Sequence, residues 1–305
     1  MDYILIVAGL IGLFLGGEAL VRGSVGMARR LAMPPLLIGL TVVGFGTSTP
    51  ELLVSIEAAL RGVPDIAVGN IVASNITNIL LIVGLTSLVW PIRVSGTTLR
   101  RDTAVMLTAA VALVPIFATG EIGRLPGALL VLGLAGYLFW AYLGSGAAPD
   151  DDSDPSASLS LRVSALWIVG GLAVLMLGAR FLVDGSVSIA RSFGVSEAFI
   201  GLTIVAVGTS LPELATSIIA AFRRQSEIAI GNIVGSNIFN VLGILGATAL
   251  IRPVPVADRF LAFDLPIMIA ATLVVTGLLL ARPVIGRPIG LAMLAAYLAY
   301  VTMAQ

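Results

Sequence analysis

The sequence "IGLTVVGFGTSTPELLVSI" at residues 38–56 returns, displaced by 162 positions, as "IGLTIVAVGTSLPELATSI" at residues 200–218. The motif "GNIVASN" that follows the first stretch likewise returns as "GNIVGSN". Without a gap, residues 38–80 and 200–242 share 27 identities in 43 positions. Each copy places a proline and then a glutamate inside an apolar run. The chain therefore contains an internal duplication. Each copy carries a helix-breaking proline next to a glutamate whose placement in an apolar run costs free energy.

The composition is that of an integral membrane protein. Of the 305 residues, 58% are hydrophobic and 11% are charged, and the mean hydropathy is +1.08. Apolar stretches of about 18–28 residues recur along the chain, and each is long enough to cross a bilayer as a helix. We count ten, at residues 3–22, 34–60, 66–90, 103–119, 125–143, 163–183, 197–222, 227–250, 261–281 and 286–303. The first lacks the basic start and the cleavage site of a signal peptide, so it is interpreted as a span.

The residue inventory argues against several classes of function. The chain has no Cys and no His, and its 17 basic residues, all Arg, are balanced by 17 acidic ones. Disulfides, thiol chemistry and the usual transition-metal sites are thereby excluded, and no basic patch indicates a nucleic-acid partner. No phosphate loop or nucleophile–base set appears, so we expect neither an enzyme nor a cofactor. No obligate protein partner is evident.

A polar, acidic segment divides the chain into two apolar halves. Residues 144–161 are rich in Gly, Ser, Pro and Asp, which predicts a flexible linker without the ligand spacing of a calcium loop. The halves, residues 1–143 and 162–305, each contain five apolar stretches and one copy of the repeated motif. An odd number of spans inverts the second copy in the membrane. The sequence thus predicts an all-α membrane protein of ten transmembrane helices in two inverted five-helix repeats, the plan of secondary transporters with a midplane site.

The arginines predict the orientation, because cytoplasmic ends of spans carry an excess of basic residues. With the N-terminus outside, eleven arginines lie at inner ends and six at outer ends. The inner ones are Arg22, Arg29, Arg30, Arg93, Arg100, Arg101, Arg162, Arg223, Arg224, Arg282 and Arg287; the outer ones are Arg61, Arg124, Arg180, Arg191, Arg252 and Arg259. We expect a cell-membrane protein with an outer N-terminus and a cytoplasmic linker.

Oxygen-bearing side chains recur at helical spacing inside the apolar runs. Four pairs are spaced i, i+4, which in a continuous helix puts both members on one face. They are Thr47 with Glu51, Ser74 with Asn78, Thr209 with Glu213 and Ser236 with Asn240. Pro50 and Pro212 have no amide hydrogen for the carbonyl four residues earlier, so each predicts a helix break. Carbonyls freed at that depth are tolerated where they line a cavity or hold an ion.

An all-oxygen set of this kind suits a hard cation. Ca²⁺ takes about 6–8 oxygen ligands in flexible geometry, whereas Mg²⁺ demands a strict octahedron. Two carboxylates neutralise one Ca²⁺, and the same oxygens suit Na⁺, which has a similar radius. A site that holds either ion, but not both at once, is an exchange site.

The two G-T-S-x-P-E motifs, each followed by G-N-I-V-[AG]-S-N, resemble the two α-repeats of the cation/Ca²⁺ antiporter superfamily, and most closely its prokaryotic Na⁺/Ca²⁺ exchanger branch. The resemblance covers essentially the whole chain. It implies a core of the second, third, seventh and eighth spans around four adjacent cation sites. It also implies that the first and sixth spans slide across this core to alternate access.

The resemblance further implies a role for each matching residue. Glu51 and Glu213 would be central ligands shared by Ca²⁺ and Na⁺. Hydroxyl or carbonyl oxygens would come from Thr47, Ser48, Thr209 and Ser210, flanking Na⁺ ligands from Ser74 and Ser236, and closing carboxamides from Asn78 and Asn240. The carbonyls of Gly44 and Ala206 would serve the outer positions. Asn240 departs from relatives that carry Asp there, which changes the charge of the site, while Ala73 and Thr49 are packing adjustments.

Other polar residues have structural interpretations. Four asparagines are expected to cap or brace helices: Asn70, Asn75, Asn232 and Asn237. Glu18 and Arg22 are spaced i, i+4, which predicts an ion pair within the first span. Arg180 and Asp184 predict the same in the sixth. Glu57 has an isoleucine as its copy and is left out of the repeated site.

The leading functional interpretation is an antiporter that exports Ca²⁺ against Na⁺ entry. The alternative is the same fold driven by H⁺, with the two glutamates as proton carriers; the paired hydroxyls and the absence of His favour Na⁺. A channel or a Ca²⁺ sensor would not need two inverted half-sites with broken helices. The substrates are therefore expected to be Ca²⁺ and Na⁺, and the lipid bilayer is the surrounding partner.

Overall fold

The computed structural model describes residues 2–93, 97–144, 159–194, 206–281 and 284–304. The helices are α1 (Asp2–Leu31), α2 (Pro35–Thr47), α3 (Thr49–Arg61), α4 (Pro64–Val89), α5 (Thr97–Phe117), α6 (Arg124–Leu143), α7 (Leu161–Ser192), α8 (Ala206–Gly208), α9 (Leu211–Phe222), α10 (Ser226–Ile251), α11 (Phe260–Ala281) and α12 (Arg287–Met303). The strands are β1 (Ile92–Arg93), β2 (Glu121–Ile122), β3 (Val254–Pro255) and β4 (Val284–Ile285). Most of the predicted linker, residues 145–158, lies outside the described residues.

The all-α membrane architecture predicted from the sequence is confirmed. Among the described residues, six helices are long and apolar enough to cross a membrane, or seven if α2 and α3, bent by 43° at their junction, count as one span. The remaining predicted stretches coincide with α5, with α8 and α9, and with α12. Every predicted span thus carries helix where the structure describes it.

The inversion of the repeat is visible where α1 packs against its own copy, α7. A β-carbon at Gly9 would lie 2.8 Å from the carbonyl oxygen of Gly178, and one at Gly16 would lie 2.8 Å from that of Gly171. Positions that advance along α1 retreat along α7, so the two helices run antiparallel. Because lipid supplies no hydrophobic force between helices, small residues that let backbones touch are what hold such a pair together.

Two short ribbons join the repeats to each other. β1 pairs antiparallel with β4, and β2 pairs antiparallel with β3. β3 is the copy of β1, and in each repeat this strand pairs with a strand of the other repeat. The two ribbons therefore connect the two repeats in equivalent ways, as expected for repeats related by a pseudo-twofold axis.

The predicted ion pair between Glu18 and Arg22 is wrong. Glu18 instead bonds to Arg223, with both nitrogen–oxygen contacts at 2.8 Å. The guanidinium of Arg22 lies over the ring of Trp167, 5.2 Å from its centroid. The physical reason is packing: α1 lies against α9, which brings a basic partner from another helix within reach. The predicted pair in α7 is confirmed, with the side chains of Arg180 and Asp184 3.7 Å apart.

Neighbouring glycines of α7 give a matched test of the α1–α7 contact. Gly171→Val should lower stability by about 1–3 kcal/mol, because its β-carbon would meet the backbone of Leu20 at 2.6 Å. Gly170→Val makes the same chemical change where nothing lies within 4 Å, and it should cost far less. Thermal unfolding in detergent, followed by size-exclusion chromatography, measures both. Equal losses from the two variants would contradict the packing described.

Candidate functional site

Both copies of the repeated motif interrupt a helix at the same residue. α2 ends before Ser48, whose φ is −82° and ψ is 8°. The copy, Ser210, precedes α9 with φ −87° and ψ 5°. Pro50 and Pro212 occupy the second position of the helices that follow, where a missing amide hydrogen is harmless. The predicted breaks are confirmed, and each falls two residues before its proline.

The break changes one inference from helical spacing. Thr47 is the last residue of α2, whereas Glu51 lies in the first turn of α3. Thr209 and Glu213 are separated in the same way by the start of α9 at Leu211. The shared face expected of a continuous helix stays a prediction for these pairs, because the helix is interrupted between their two members. Each acid lies in the first turn of the helix that begins after the interruption at Ser48 or Ser210.

The two glutamates each receive a hydrogen bond from a serine of the opposite repeat. The hydroxyl of Ser48 donates to Oε1 of Glu213 at 2.9 Å, and that of Ser210 donates to Oε1 of Glu51 at 3.4 Å. Both glutamates are only 1% exposed, and their carboxylates lie close enough to interact electrostatically. Acids buried this deeply need hydrogen bonds or a cation to remain charged. Because each serine bonds to the glutamate of the other repeat, the two half-sites lie against each other.

The remaining predicted ligands surround this pair. Ser74 lies 3.4 Å from the Ser210 hydroxyl, and Ser236 donates to the carbonyl of Gly44 at 3.3 Å. The buried members of the set are Gly44, Thr47, Ser48, Ser74, Asn78, Ser210, Ser236 and Asn240. Asn78 and Asn240 lie at the starts of π-helical turns in α4 and α10, a distortion common at functional sites. Ala206 begins α8 and is described there by its backbone.

Several oxygens of this cluster have no partner among the described residues. They are Oε2 of Glu51, Oε2 of Glu213, Oγ1 of Thr209, Oδ1 of Asn78 and Oδ1 of Asn240. Buried polar atoms in proteins are nearly always satisfied, so a concentration of unsatisfied oxygens indicates a place for a ligand. The described residues contain no group of three or more carboxylates that would hold a metal ion. The chemistry offered is therefore two acids supplemented by neutral oxygens.

Glycines on α2 and α10 allow the two half-sites to approach. A β-carbon at Gly44 would lie 3.0 Å from the backbone nitrogen of Ser236. One at Gly235 would collide with the backbone of Leu40. The helices thus cross at backbone contact, one residue from Ser236. This contact explains why the motif of the second repeat carries glycine at the position of Ala73.

Two of the four asparagines expected to cap or brace helices, Asn70 and Asn232, brace the glutamates, whereas Asn75 and Asn237 donate to carbonyls of their own helices. The amide of Asn70 donates to the backbone carbonyl of Glu51 at 3.1 Å and to Ser55 at 2.9 Å. Asn232 repeats both bonds with Glu213 at 3.2 Å and Ser217 at 2.9 Å. The carbonyl of each acid is therefore clamped by the helix that follows.

Ser55 and Ser217 were missed as part of this support. The signal available in the sequence was that they are identical in the two copies. Asn232 also accepts a hydrogen bond from the hydroxyl of Thr47 at 3.0 Å, which links it to the first repeat. Its amide therefore contacts residues of both half-sites.

Paired broken helices around buried acids, in two inverted repeats, define a membrane secondary transporter of the inverted-repeat class. The family model described as "Sodium/calcium exchanger protein" matches residues 1–143 and 163–304. The chain belongs to this family. Its members are transporters rather than enzymes, and at this level the chain is a cation/Ca²⁺ antiporter.

The chain is similar to individual relatives over nearly its full length. The chain is 36% identical to the inner membrane protein YrbG of Escherichia coli, with 98% of this chain and 95% of YrbG covered. It is 31% identical to the sodium/calcium exchanger MaX1 of Methanosarcina acetivorans, with 90% of each covered. Among solved structures, the sodium-calcium exchanger NCX_Mj soaked with zero Na⁺ and Ca²⁺ matches with a TM-score of 0.87 at 30% identity, covering 100% of this chain and 99% of that one.

The asparagine clamp gives a testable difference between two buried asparagines of α10. Asn232→Ala should destabilise the protein by about 1–3 kcal/mol, because it removes buried hydrogen bonds to the Glu213 carbonyl, the Ser217 hydroxyl and the Thr47 hydroxyl. Asn237→Ala removes an amide that, among the described residues, donates only to Ile233 of its own helix, at 2.7 Å, and it should cost less. Thermal unfolding in detergent compares the two. A larger loss for Asn237→Ala would contradict the clamp.

Proposed function

We propose that the protein exchanges Na⁺ for Ca²⁺ by alternating access at the paired half-sites, exporting Ca²⁺ as Na⁺ enters. The observation that carries this proposal is the reciprocal bonding of Ser48 to Glu213 and of Ser210 to Glu51, which leaves one oxygen of each acid unsatisfied between the repeats. Two acids at one point neutralise one Ca²⁺. Membership of the sodium/calcium exchanger family supports the same choice of ions.

The proposed ligands are those of the sequence-derived set: Glu51, Glu213, Thr47, Ser48, Thr209, Ser210, Ser74, Ser236, Asn78, Asn240, and the carbonyls of Gly44 and Ala206. Burial of the charged and hydroxyl-bearing members supports this assignment, as do the unsatisfied oxygens among them. The ions are cargo, and the proposal requires no resident cofactor. Na⁺ is favoured over H⁺ because hydroxyls and carboxamides coordinate a dehydrated cation, whereas a proton needs only the acids.

We also propose an outer N-terminus and a location in the cell membrane. The arginine excess supports this orientation, with repeats at 1–143 and 162–305 joined by a cytoplasmic linker. Arg287 donates to the carbonyl of Leu88 at 3.1 Å, which brings two of the arginine-rich inner ends, those of α4 and α12, to the same face. The relative YrbG is named an inner membrane protein, which agrees with the proposed location.

Ion coupling is tested with purified protein in liposomes loaded with Na⁺. An outward Na⁺ gradient should drive uptake of radiolabelled Ca²⁺, and a pH gradient without Na⁺ should not. If three Na⁺ exchange for one Ca²⁺, each cycle moves net charge, so an imposed membrane potential should change the initial rate. Uptake driven by the pH gradient alone and indifferent to Na⁺ would instead support the H⁺-coupled alternative.

Glu57, which lies on the same helix as Glu51, is a matched control for substitutions of the two central acids. Glu51→Gln and Glu213→Gln should each reduce Na⁺-driven Ca²⁺ uptake to the level of empty liposomes, because each removes one of two charges that neutralise Ca²⁺. Glu57→Gln should retain uptake, since Glu57 is exposed and pairs with Arg61 on the surface of α3. Initial rates at matched protein incorporation decide the matter. Comparable losses in all three variants would count against the assignment.

A further inference from the structure

An ion pair joins the first helix of the first repeat to the second repeat. Nε and Nη2 of Arg223, at the end of α9, bond to the two carboxylate oxygens of Glu18 on α1, each at 2.8 Å. A two-point pair of this kind fixes the geometry of its partners as well as attracting them. One residue before Glu18, a β-carbon at Gly17 would collide with Cδ1 of Ile219 on α9. α1 is therefore held against α9 by an ion pair and by close packing.

The repeat-related positions do not carry an ion pair of this kind. Displaced by 162 residues, Glu18 corresponds to Arg180 and Arg223 corresponds to Arg61, so an acid and a base are replaced by two bases. The side chains of Arg180 and Arg61 are 77% and 72% exposed in this structure. The contact between α1 and α9 is therefore not matched by these two residues of α7 and α3.

Both of these arginines pair with an acid of their own helix instead. Arg61 bonds to Glu57, and Arg180 lies 3.7 Å from Asp184. In both pairs the acid and the base are one helical turn apart. These two pairs therefore do not depend on how one repeat lies against the other.

The packing beside the ion pair is also unequal in the two repeats. Ile219, which lies against Gly17, is 7% exposed. Its repeat-related residue is Glu57, whose side chain is 60% exposed. The same position of the repeat is thus buried on one side of the molecule and open on the other.

Alternating access in inverted-repeat transporters comes from movement of one part of the fold against the other around a fixed site. We call the exchanged arrangement the one in which each repeat makes the contacts that the other makes here. In it, α7 would lie against α3 as α1 lies against α9, and Arg180 would approach Arg61. The bond between Glu18 and Arg223 would be lost. Arg61 and Arg180 already have acids within their own helices, so no new bond compensates for this loss.

We propose that the ion pair of Glu18 and Arg223 is an interhelical latch that favours the described arrangement over the exchanged one. Neither residue belongs to the proposed ion ligands, so the latch acts on the balance between arrangements and not on the ions themselves. Removing one partly exposed ion pair should raise the population of the exchanged arrangement by about two- to fivefold. The inference rests on the alternating access of the proposed function, but not on the identity of the transported ions.

The arrangement can be measured with a single cysteine, because the chain contains none of its own. Ile219→Cys places a thiol at a side chain that is buried here and that would take the exposed place of Glu57 in the exchanged arrangement. Its rate of reaction with a water-soluble maleimide, on the purified protein in detergent at fixed Na⁺, therefore follows the population of that arrangement. Glu57→Cys puts the thiol at an exposed position and serves as the reference for reactivity.

In the Ile219→Cys protein, Glu18→Gln and Arg223→Gln should each raise the labelling rate by about two- to fivefold. Both substitutions together should raise it no further than either alone, because they remove the same bond. Asp184→Asn is the matched control: it removes the acid of an ion pair that lies within α7, and it should not raise the rate. In the Glu57→Cys protein, Glu18→Gln should leave the rate unchanged.

An unchanged labelling rate of Ile219→Cys on Glu18→Gln substitution would overturn the proposal. Effects of Glu18→Gln and Arg223→Gln that multiply in the double variant would do so as well, since they would not come from one shared bond. An equal rise in both cysteine proteins would indicate general loosening of the fold and would also count against the latch. The assay applies no ion gradient, so its failure is distinguishable from a failure of Na⁺-driven Ca²⁺ uptake in liposomes.

Discussion

The fold depends on keeping two carboxylates in the interior of a membrane protein. Ionisable groups at that depth are costly unless they are hydrogen-bonded or paired with an opposite charge. The chain meets the requirement by crossing its repeats, because the Ser48 hydroxyl reaches Glu213 and the Ser210 hydroxyl reaches Glu51. The helix is interrupted at each of these serines, and the first helices of the two copies run antiparallel. The helix breaks, the inversion of the repeats and the two asparagine clamps all help to position the two glutamates and the serines that bond to them.

Close packing of backbones is the second constraint, and glycines meet it at several helix contacts, two of which bear on the site. Gly9 and Gly16 of α1 lie against glycines of α7, while α2 crosses α10 at Gly44 and Gly235. In a bilayer these contacts replace the hydrophobic force that holds a soluble core together. The first interface joins α1 and α7, which are the first helices of the two repeats. The second joins the broken helix of the first repeat to the helix of the second repeat that carries Asn232 and Ser236, so it determines how the half-sites meet.

Much of this could be predicted from the sequence because the information was present twice. Identities at a fixed offset revealed the repeats, and Pro50 with Pro212 predicted the breaks. The sequence could not reveal that Ser48 bonds to the acid of the other repeat, since that depends on how the halves pack. Helical periodicity also does not extend across the break, because Thr47 and Glu51 lie on different helices. The partner of Glu18 was wrong for the same reason: spacing along one helix does not register a neighbouring helix.

The two copies share most of their proposed site residues but not all of their contacts. Thr47 bonds to Asn232 at 3.0 Å, whereas the hydroxyl of its copy, Thr209, has no partner among the described residues. α7 covers both breaks, but through positions that are not related by the repeat, with Leu172 at Gly46 and Val183 at Gly208. Matching residues of the two copies therefore make different contacts in this structure. If each copy adopted the contacts that the other makes here, the protein would have a second arrangement with similar local chemistry. An exchanger of the proposed kind needs two such arrangements of comparable free energy, and duplication with inversion supplies both from one set of interactions.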